Sequence, residues 1–364
     1  MNIRNIVEPL EELAPLSTQE SYDNSGLIIG SYNDKIESAI ICIDITEEIV
    51  EEAISKKCQL IISHHPLIFS GLKKINGNNL VERCVIKAIK NNIAIYACHT
   101  NLDNSIDGVN SYICEKLGLK KLRILEPQKG MLKKIVTFCP TNKANKVRNA
   151  IFAAGVGSIG NYDSCSFNSE GQGTFKALEN AKPYVGEINE LHFENEIKIE
   201  CVFPKNLERQ IIAALISAHP YEEVAYDILT LDNEFPKIGA GIIAELEKPM
   251  KEKDFLLKVK KIFNLKIIKH TPFLNKQIKT IAICGGSGSF LINSAIKSNA
   301  QIFLTGDIKY HQFFEAEDRI VIADLGHYES EQFTKELLFS IIKKKFPKFA
   351  LSISEINTNP VNYL

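Results

Sequence analysis

Two adjacent histidines, His64 and His65, directly follow a short apolar run at residues 60–63, and such a run predicts a buried strand. Functional side chains lie at the carboxyl ends of strands in open α/β sheets, and imidazole is the commonest metal-binding side chain. Two further apolar runs are followed by ligand-type residues, at 99–103 and at 326–331. The pattern therefore predicts three strand ends that present histidine, aspartate or glutamate.

The candidate ligands at these strand ends are three imidazoles and two carboxylates: His64, His65, Asp103, His327 and Glu331. His327 and Glu331 are four residues apart, a separation at which two side chains of a helix can share an ion. This set exceeds one closed tetrahedral zinc site, so it predicts two divalent ions per chain with positions open to water. Zinc, iron(II) and manganese suit this ligation equally. The alternative for the His64–His65 pair is a turn with one hydrogen-bonded and one solvated histidine.

The elements that carry these ligands form a weak internal repeat. Residues 41–65 align without a gap on residues 283–307, and each segment has the pattern strand, helix, strand. Each copy continues to a further strand that ends in ligand-type residues, at 99–103 and at 326–331. The sequence thus predicts an α/β fold in which two similar halves form one metal-binding core, with the metals where the strand ends meet.

The segment between the two halves has a different pattern. It predicts the order β-α-β-β-α-β, which is the ferredoxin-like order and can fold alone. The predicted domains are residues 1–127 for the first half of the core, 128–234 for the inserted domain and 235–364 for the second half.

Two glycine-rich stretches are candidates for phosphate-binding loops. Residues 155–160 follow a predicted helix, so these glycines predict a helix cap and a turn. Residues 285–289 follow a predicted strand and precede a helix, where backbone amides can hold an anion. The second stretch is either a contact for a phosphorylated substrate or a tight turn.

Composition limits the classes of function. The chain has 364 residues, 45% of them hydrophobic, and its 43 basic and 44 acidic residues give a net charge of −1. This charge provides no overall attraction for nucleic acid or for a membrane surface. The nine cysteines lack Cys-x-x-Cys spacing, and no segment has the pattern of a signal peptide or a membrane span. We expect a cytoplasmic protein with no nucleic-acid or membrane partner.

Five motifs are similar to those of a known family: residues 22–27 (YDNSGL), 62–67 (ISHHPL), 99–103 (HTNLD), 305–311 (TGDIKYH) and 326–331 (GHYESE). They resemble the Nif-three-like family, whose members are usually labelled GTP cyclohydrolase 1 type 2 homologues, in its long bacterial form with a PII-like inserted domain. The resemblance implies a dinuclear metal site held by the five residues named above and a toroidal homohexamer. Tyr22 stands where the family usually has tryptophan, which this chain lacks entirely.

Two classes of function fit these observations. The first is a metal-dependent hydrolase, and the resemblance implies attack on C8 of GTP with release of formate. His99 and His311 each lie beside a ligand-bearing strand end and are candidates for orienting a ligand or transferring a proton, with a structural role as the alternative. The second class is a non-catalytic metal-handling or sensor protein. A third reading, an interaction module acting on transcription, is disfavoured because the chain lacks large basic patches.

Overall fold

Short apolar runs form the central strands of the protein, and the structure, a computed structural model, describes all 364 residues. The α-helices are α1 (Ile3–Leu13), α2 (Glu47–Ser55), α3 (Leu80–Lys90), α4 (Thr100–Asp103), α5 (Val109–Leu117), α6 (Ala144–Ala153), α7 (Glu208–Ala218), α8 (Glu252–Ile262), α9 (Ile292–Lys297), α10 (His327–Glu331) and α11 (Thr334–Lys345). The strands are β1 (Gly26–Ile29), β2 (Ser38–Cys42), β3 (Leu60–Ser63), β4 (Ala94–Ala97), β5 (Lys120–Gln128), β6 (Leu132–Pro140), β7 (Phe167–Lys176), β8 (Leu191–Pro204), β9 (Tyr226–Leu231), β10 (Phe235–Lys251), β11 (Lys269–His270), β12 (Gln277–Ser287), β13 (Ile302–Gly306), β14 (Val321–Asp324) and β15 (Ala350–Ile353).

The chain divides into two units. The core unit combines Met1–Pro127 with Pro236–Leu364, and the inserted unit comprises Gln128–Phe235. Mixed α/β structure is present in both. None of the helices combines the length and the apolar character needed to cross a membrane.

The first sheet of the core unit has the strand order β1-β4-β3-β2-β15. Its central strands β2, β3 and β4 are parallel, with Ile61 paired to Ile40 on one side and to Ile95 on the other. All four residues of β3 are buried, which explains why residues 60–62 are continuously apolar instead of alternating. Because the three strands are parallel, the residues that follow them emerge at the same edge of the sheet.

The second sheet of the core unit has the order β11-β14-β13-β12-β10-β5. Its strands β12, β13 and β14 are parallel, with Leu304 between Ile283 and Ala323. Side chains of both sheets, including Ile62 and Leu304, belong to one hydrophobic core. Each fully buried aliphatic side chain of this size contributes about 1.5–3 kcal/mol relative to exposure. The shared core therefore holds the two sheets together in the core unit.

The internal repeat corresponds to two similar βαβ segments. The first is β2-α2-β3 and continues to β4, and the second is β12-α9-β13 and continues to β14. Helix α2 is capped by Thr46, whose side chain accepts a hydrogen bond from the Ile49 amide. Helix α9 is shorter and follows a 3-10 turn at Ser289–Leu291. The two copies therefore share their order of elements, although the lengths of the elements differ.

The inserted unit contains one antiparallel sheet of order β7-β8-β6-β9, with helices α6 and α7 packed by a separate hydrophobic core. Its six elements in chain order are β6, α6, β7, β8, α7 and β9. Gly155, just beyond α6, has φ +98°, so the prediction of a helix cap there is confirmed.

Candidate metal centre

His64 is the first residue after β3, and it is completely buried. Its Nδ1 lies 2.8 Å from the carbonyl oxygen of Cys98, which follows β4, so Nδ1 carries the proton and donates it there. Its Nε2 lies 3.7 Å from Oδ1 of Asp103 and 3.6 Å from Oε1 of Glu331. The hydrogen bond to the carbonyl therefore directs Nε2 toward two carboxylates.

His65 directs its Nε2 toward the same cluster, and a carboxylate contacts its other ring nitrogen, Nδ1. Its Nδ1 lies 2.7 Å from Oδ1 of Asp44, the second residue after β2. Its Nε2 lies 3.1 Å from Oε2 of Glu331 and 3.3 Å from Nε2 of His327. Asp44 thus fixes the tautomer of His65 in the way that outer carboxylates commonly orient metal-binding histidines.

His327 and Glu331 come from α10, which follows β14 of the second sheet. The two side chains are 3.2 Å apart, between Nε2 and Oε2, as their four-residue separation predicts. Nδ1 of His327 lies 2.7 Å from Oδ2 of Asp307, which follows β13 and has φ +57°. Asp307 therefore orients His327 as Asp44 orients His65, and its left-handed backbone is one that aspartate tolerates better than most residues.

The glycines of the 285–289 stretch include one, Gly286, that lies against a carboxylate of the cluster. Strand β12 extends through Ser287, so Gly285 and Gly286 are strand residues, and only the end of the stretch lies beyond the strand. Gly286 has φ +63°, and a Cβ atom there would collide with Oε1 of Glu331. The physical reason for glycine at this position is therefore the close approach of the Glu331 carboxylate to the backbone.

Two buried polar atoms of the cluster lack a hydrogen-bond partner: Nε2 of His64 and Oδ1 of Asp103. Buried polar atoms are normally paired, so each unpaired one requires an explanation. Zinc ligand atoms lie about 2.0–2.2 Å from the ion, so two ligands of one ion are separated by no more than about 4.4 Å. The 3.7 Å between these two atoms is compatible with a shared cation. Side-chain atoms of His64, His65 and Glu331 also lie within 4.8 Å of one another, and this cluster could hold a metal ion.

The electrostatics of the cluster favour added positive charge. Burial opposes protonation of His65, but hydrogen bonds to Asp44 and Glu331 raise its pKa to about 10. The hydrogen bond to Glu331 raises the pKa of His327 to about 9. Burial raises the pKa of Asp103, whereas the surrounding imidazoles outweigh burial at Glu331 and hold its pKa well below the usual range. Without a cation, protons on His65 and His327 balance the negative charge of Glu331, and a bound metal ion would replace these protons.

The two further candidates, His99 and His311, lie in different surroundings. The ring centroid of His99 lies 5.4 Å from that of His64 and 5.3 Å from that of His65. Nδ1 of His99 lies 2.7 Å from Oδ1 of Asp23, in the YDNSGL motif. His311 is exposed in the 3-10 helix Tyr310–Ala316, and its ring neighbours, Tyr310 and Phe314, belong to that helix. The structure thus brings His99 to the cluster and leaves His311 outside its contacts.

Sequence reasoning did not select the three aspartates that orient histidines, namely Asp23, Asp44 and Asp307. Asp44 and Asp307 each follow a predicted strand of the repeat, so the strand-end pattern that selected the histidines also contained them. Asp23 lies in one of the five family-like motifs. The missing information was which strand ends are neighbours in the sheet.

The fold and the cluster together define a class of protein: an α/β protein in which the strand ends of two sheets hold a candidate site for a metal ion. The sequence matches the Duf34/NIF3 (NGG1p interacting factor 3) family over residues 1–360. The chain therefore belongs to that family, which confirms the resemblance carried by its five motifs.

Relatives of known sequence or structure match over the full chain. The chain is 36% identical over 370 residues to the GTP cyclohydrolase 1 type 2 homolog of Bacillus subtilis, with coverage of 100% of this chain and 99% of the relative. A crystal structure of a Bacillus cereus protein related to NIF3 matches with a TM-score of 0.83 at 36% identity, covering 100% of this chain and 99% of that one. A Staphylococcus aureus protein matches with a TM-score of 0.78 at 30% identity, covering 100% and 99%.

Proposed function

We propose that the protein binds two divalent metal ions per chain, and that zinc, iron(II) or manganese occupies the site. The ligands in this proposal are the five clustered side chains: His64, His65, Asp103, His327 and Glu331. The observation that carries the proposal is the unpaired buried pair of His64 Nε2 and Asp103 Oδ1, because a cation would satisfy both atoms. Three imidazoles and two carboxylates are the donor types that these metals share.

We further propose that the protein is a metal-dependent hydrolase acting on GTP. Relatives that match the full chain are named GTP cyclohydrolase 1 type 2 homologs, which supports the choice of substrate. In the proposed reaction, one water adds to C8 of the guanine, the imidazole ring opens to a formamide, and a second water releases formate. Bound divalent ions would polarise the substrate and make water a stronger nucleophile near neutral pH.

The side chains around the cluster have separate tasks in this proposal. The Cys98 carbonyl, Asp44 and Asp307 hold the Nδ1 protons of His64, His65 and His327, and this keeps each Nε2 free to bind an ion. Asp23 holds Nδ1 of His99 in the same way. Nε2 of His99 is then the atom that gives a proton to the substrate or takes one from it.

The proposal includes assembly and domain organisation. On the family resemblance, we propose a toroidal homohexamer in the cytoplasm. Light scattering of the purified protein tests the hexamer, because it measures the mass of the assembly.

The inserted unit is proposed to be a ferredoxin-like, PII-like domain, and its strand order β7-β8-β6-β9 supports this. Replacing residues 128–234 by a short linker should leave the metal content per chain unchanged, because all five proposed ligands lie in the core unit. A soluble product that has lost its metal would contradict this domain division.

Metal analysis followed by a formate assay tests the proposal. Protein purified without chelator should contain about two divalent ions per chain and release formate from GTP. Asp103→Asn should abolish formate release and leave the fold intact, whereas the exposed control Asp254→Asn should retain it. Formate release that persists in Asp103→Asn would identify a contaminant. Metal-loaded protein that turns over neither GTP nor other phosphorylated heterocycles would favour metal handling over hydrolysis.

A further inference from the structure

The C-terminal segment, residues 354–364, has no helix or strand and follows β15. It is anchored where it begins: the Ser354 amide donates a 2.8 Å hydrogen bond to the carbonyl of Ile41 in β2, and Ser354 is buried. The Ile356 side chain packs against a hydrophobic core of the first sheet. The segment is therefore an ordered part of the core unit.

The first contact of this segment with the metal centre is through Thr358. Its Oγ1 donates a 2.7 Å hydrogen bond to Oδ2 of Asp44. The other oxygen of the same carboxylate, Oδ1, accepts the hydrogen bond from Nδ1 of His65. Both oxygens of Asp44 are thus occupied, and this fixes the plane of the carboxylate that orients His65.

The second contact is with Glu329, which lies in α10 between His327 and Glu331. Nδ2 of Asn359 donates a 2.9 Å hydrogen bond to Oε1 of Glu329, and the Tyr363 hydroxyl lies 3.2 Å from the same oxygen. The segment therefore contacts the loop after β2 in the first half and the ligand-bearing helix after β14 in the second half.

We propose that the C-terminal segment is a positioning element of the metal centre. Thr358 is the positioning residue for His65, acting through Asp44, and the pair Asn359 and Tyr363 positions α10. The inference rests on the proposed metal-binding function and adds residues that touch no candidate ligand themselves. Without the Thr358 hydroxyl, Oδ2 of Asp44 loses its partner, the carboxylate can rotate, and Nε2 of His65 loses its fixed direction.

Cobalt(II) binding by the full-length protein tests this inference. Thr358→Val keeps the shape of the side chain but removes the hydroxyl, so it should weaken cobalt affinity about threefold to tenfold, at or below the lower end of the range for outer partners of metal ligands. It should also shift the visible absorption bands of the bound cobalt. Thr358→Ser should restore both the affinity and the spectrum. Tyr363→Phe is a second variant, which should weaken affinity through α10.

Val361→Ala is the matched control in the same segment, since the Val361 side chain is 55% exposed and should leave affinity and spectrum unchanged. A purely structural role would lower the melting temperature of metal-free Thr358→Val without changing the affinity or spectrum of the folded protein, and this result would overturn the inference. If the wild-type protein binds cobalt and both Thr358→Val and Tyr363→Phe keep its affinity and spectrum, the inference is overturned too. A wild-type protein that binds no cobalt would instead overturn the proposed function, and this inference with it.

Discussion

The two halves of the core unit share a scaffold but place their functional side chains on different strands. In the first half, the aspartate follows β2 and the histidine that it orients, His65, follows β3. In the second half, Asp307 follows β13, the repeat counterpart of β3, and His327 follows β14. The aspartate–histidine pair is thus displaced by one strand between the halves. A repeated strand pattern therefore predicts the edge of the sheet at which the clustered side chains lie, but the role of each side chain has to be determined for each strand end separately.

The largest expected effect is at the residue that contacts histidines of both halves. Glu331 lies within 3.2 Å of His65 and His327. Glu331→Gln should lower metal affinity by more than about 100-fold, beyond the range for outer partners of a ligand, because it removes a buried negative charge from the cluster. Competition with a chromophoric chelator measures this. Metal affinity within threefold of wild type would show that the halves do not share their ions through Glu331.

Equivalent core substitutions in the two halves should lower the free energy of unfolding by similar amounts. Ile41 and Ile283 occupy matching repeat positions and are 0% and 1% exposed. Ile41→Ala and Ile283→Ala should each lower the free energy of unfolding by about 2–5 kcal/mol. Urea denaturation measures both, with Ile89→Ala as a control because that side chain is 55% exposed. A large loss in one half only would mean that the shared core depends mainly on a single sheet.

The orienting aspartates provide the next comparison. Asp44→Asn and Asp307→Asn should each weaken metal binding about 10–100-fold, because each removes the charged partner of an imidazole that we propose as a metal ligand. The exposed Asp232→Asn in the inserted unit should have no effect. Isothermal titration of the metal-free proteins gives the three affinities side by side. If only one of the two substitutions weakened metal binding, the two halves would be similar in backbone structure but not in the role of their orienting aspartates.

The smallest expected effect concerns a histidine outside both halves. Burial lowers the pKa of His219 below 6.5 in the inserted unit, where Nε2 lies 2.9 Å from the Phe138 carbonyl and no carboxylate is bonded to the ring. A folded pKa below the unfolded one stabilises the fold above the unfolded pKa, and this contribution is lost as the pH falls through the folded value. NMR titration should therefore give a His219 pKa below 6.5 and not above it. A raised value would remove the contrast with the carboxylate-paired His65 and His327.

The sequence predicts the strands well, because parallel strands buried on both faces require continuous apolar runs such as residues 60–62. It also predicts the family, which the match over residues 1–360 confirms. The strand-end rule selects His64 and His65 because imidazole is the commonest metal-binding side chain. A single aspartate after a strand, such as Asp44, is indistinguishable in sequence from an ordinary turn residue.

The remaining differences arise from packing that one sequence does not display. His311 follows a strand end as His99 does, yet a 3-10 helix places it at the surface. Gly286 has the sequence context of a phosphate-binding loop, but its lack of a side chain makes room for Glu331, a residue 45 positions later in the chain. Such requirements depend on which elements are neighbours in three dimensions.

Anomalous X-ray diffraction from crystals grown with zinc, iron(II) or manganese tests the central claim most directly. The claim predicts two peaks per chain, with His64, His65 and Asp103 from the first half and His327 and Glu331 from the second as ligands. Zinc–ligand distances should be about 2.0–2.2 Å. The absence of any peak among these side chains, or a peak bound only by residues of one half, would contradict it.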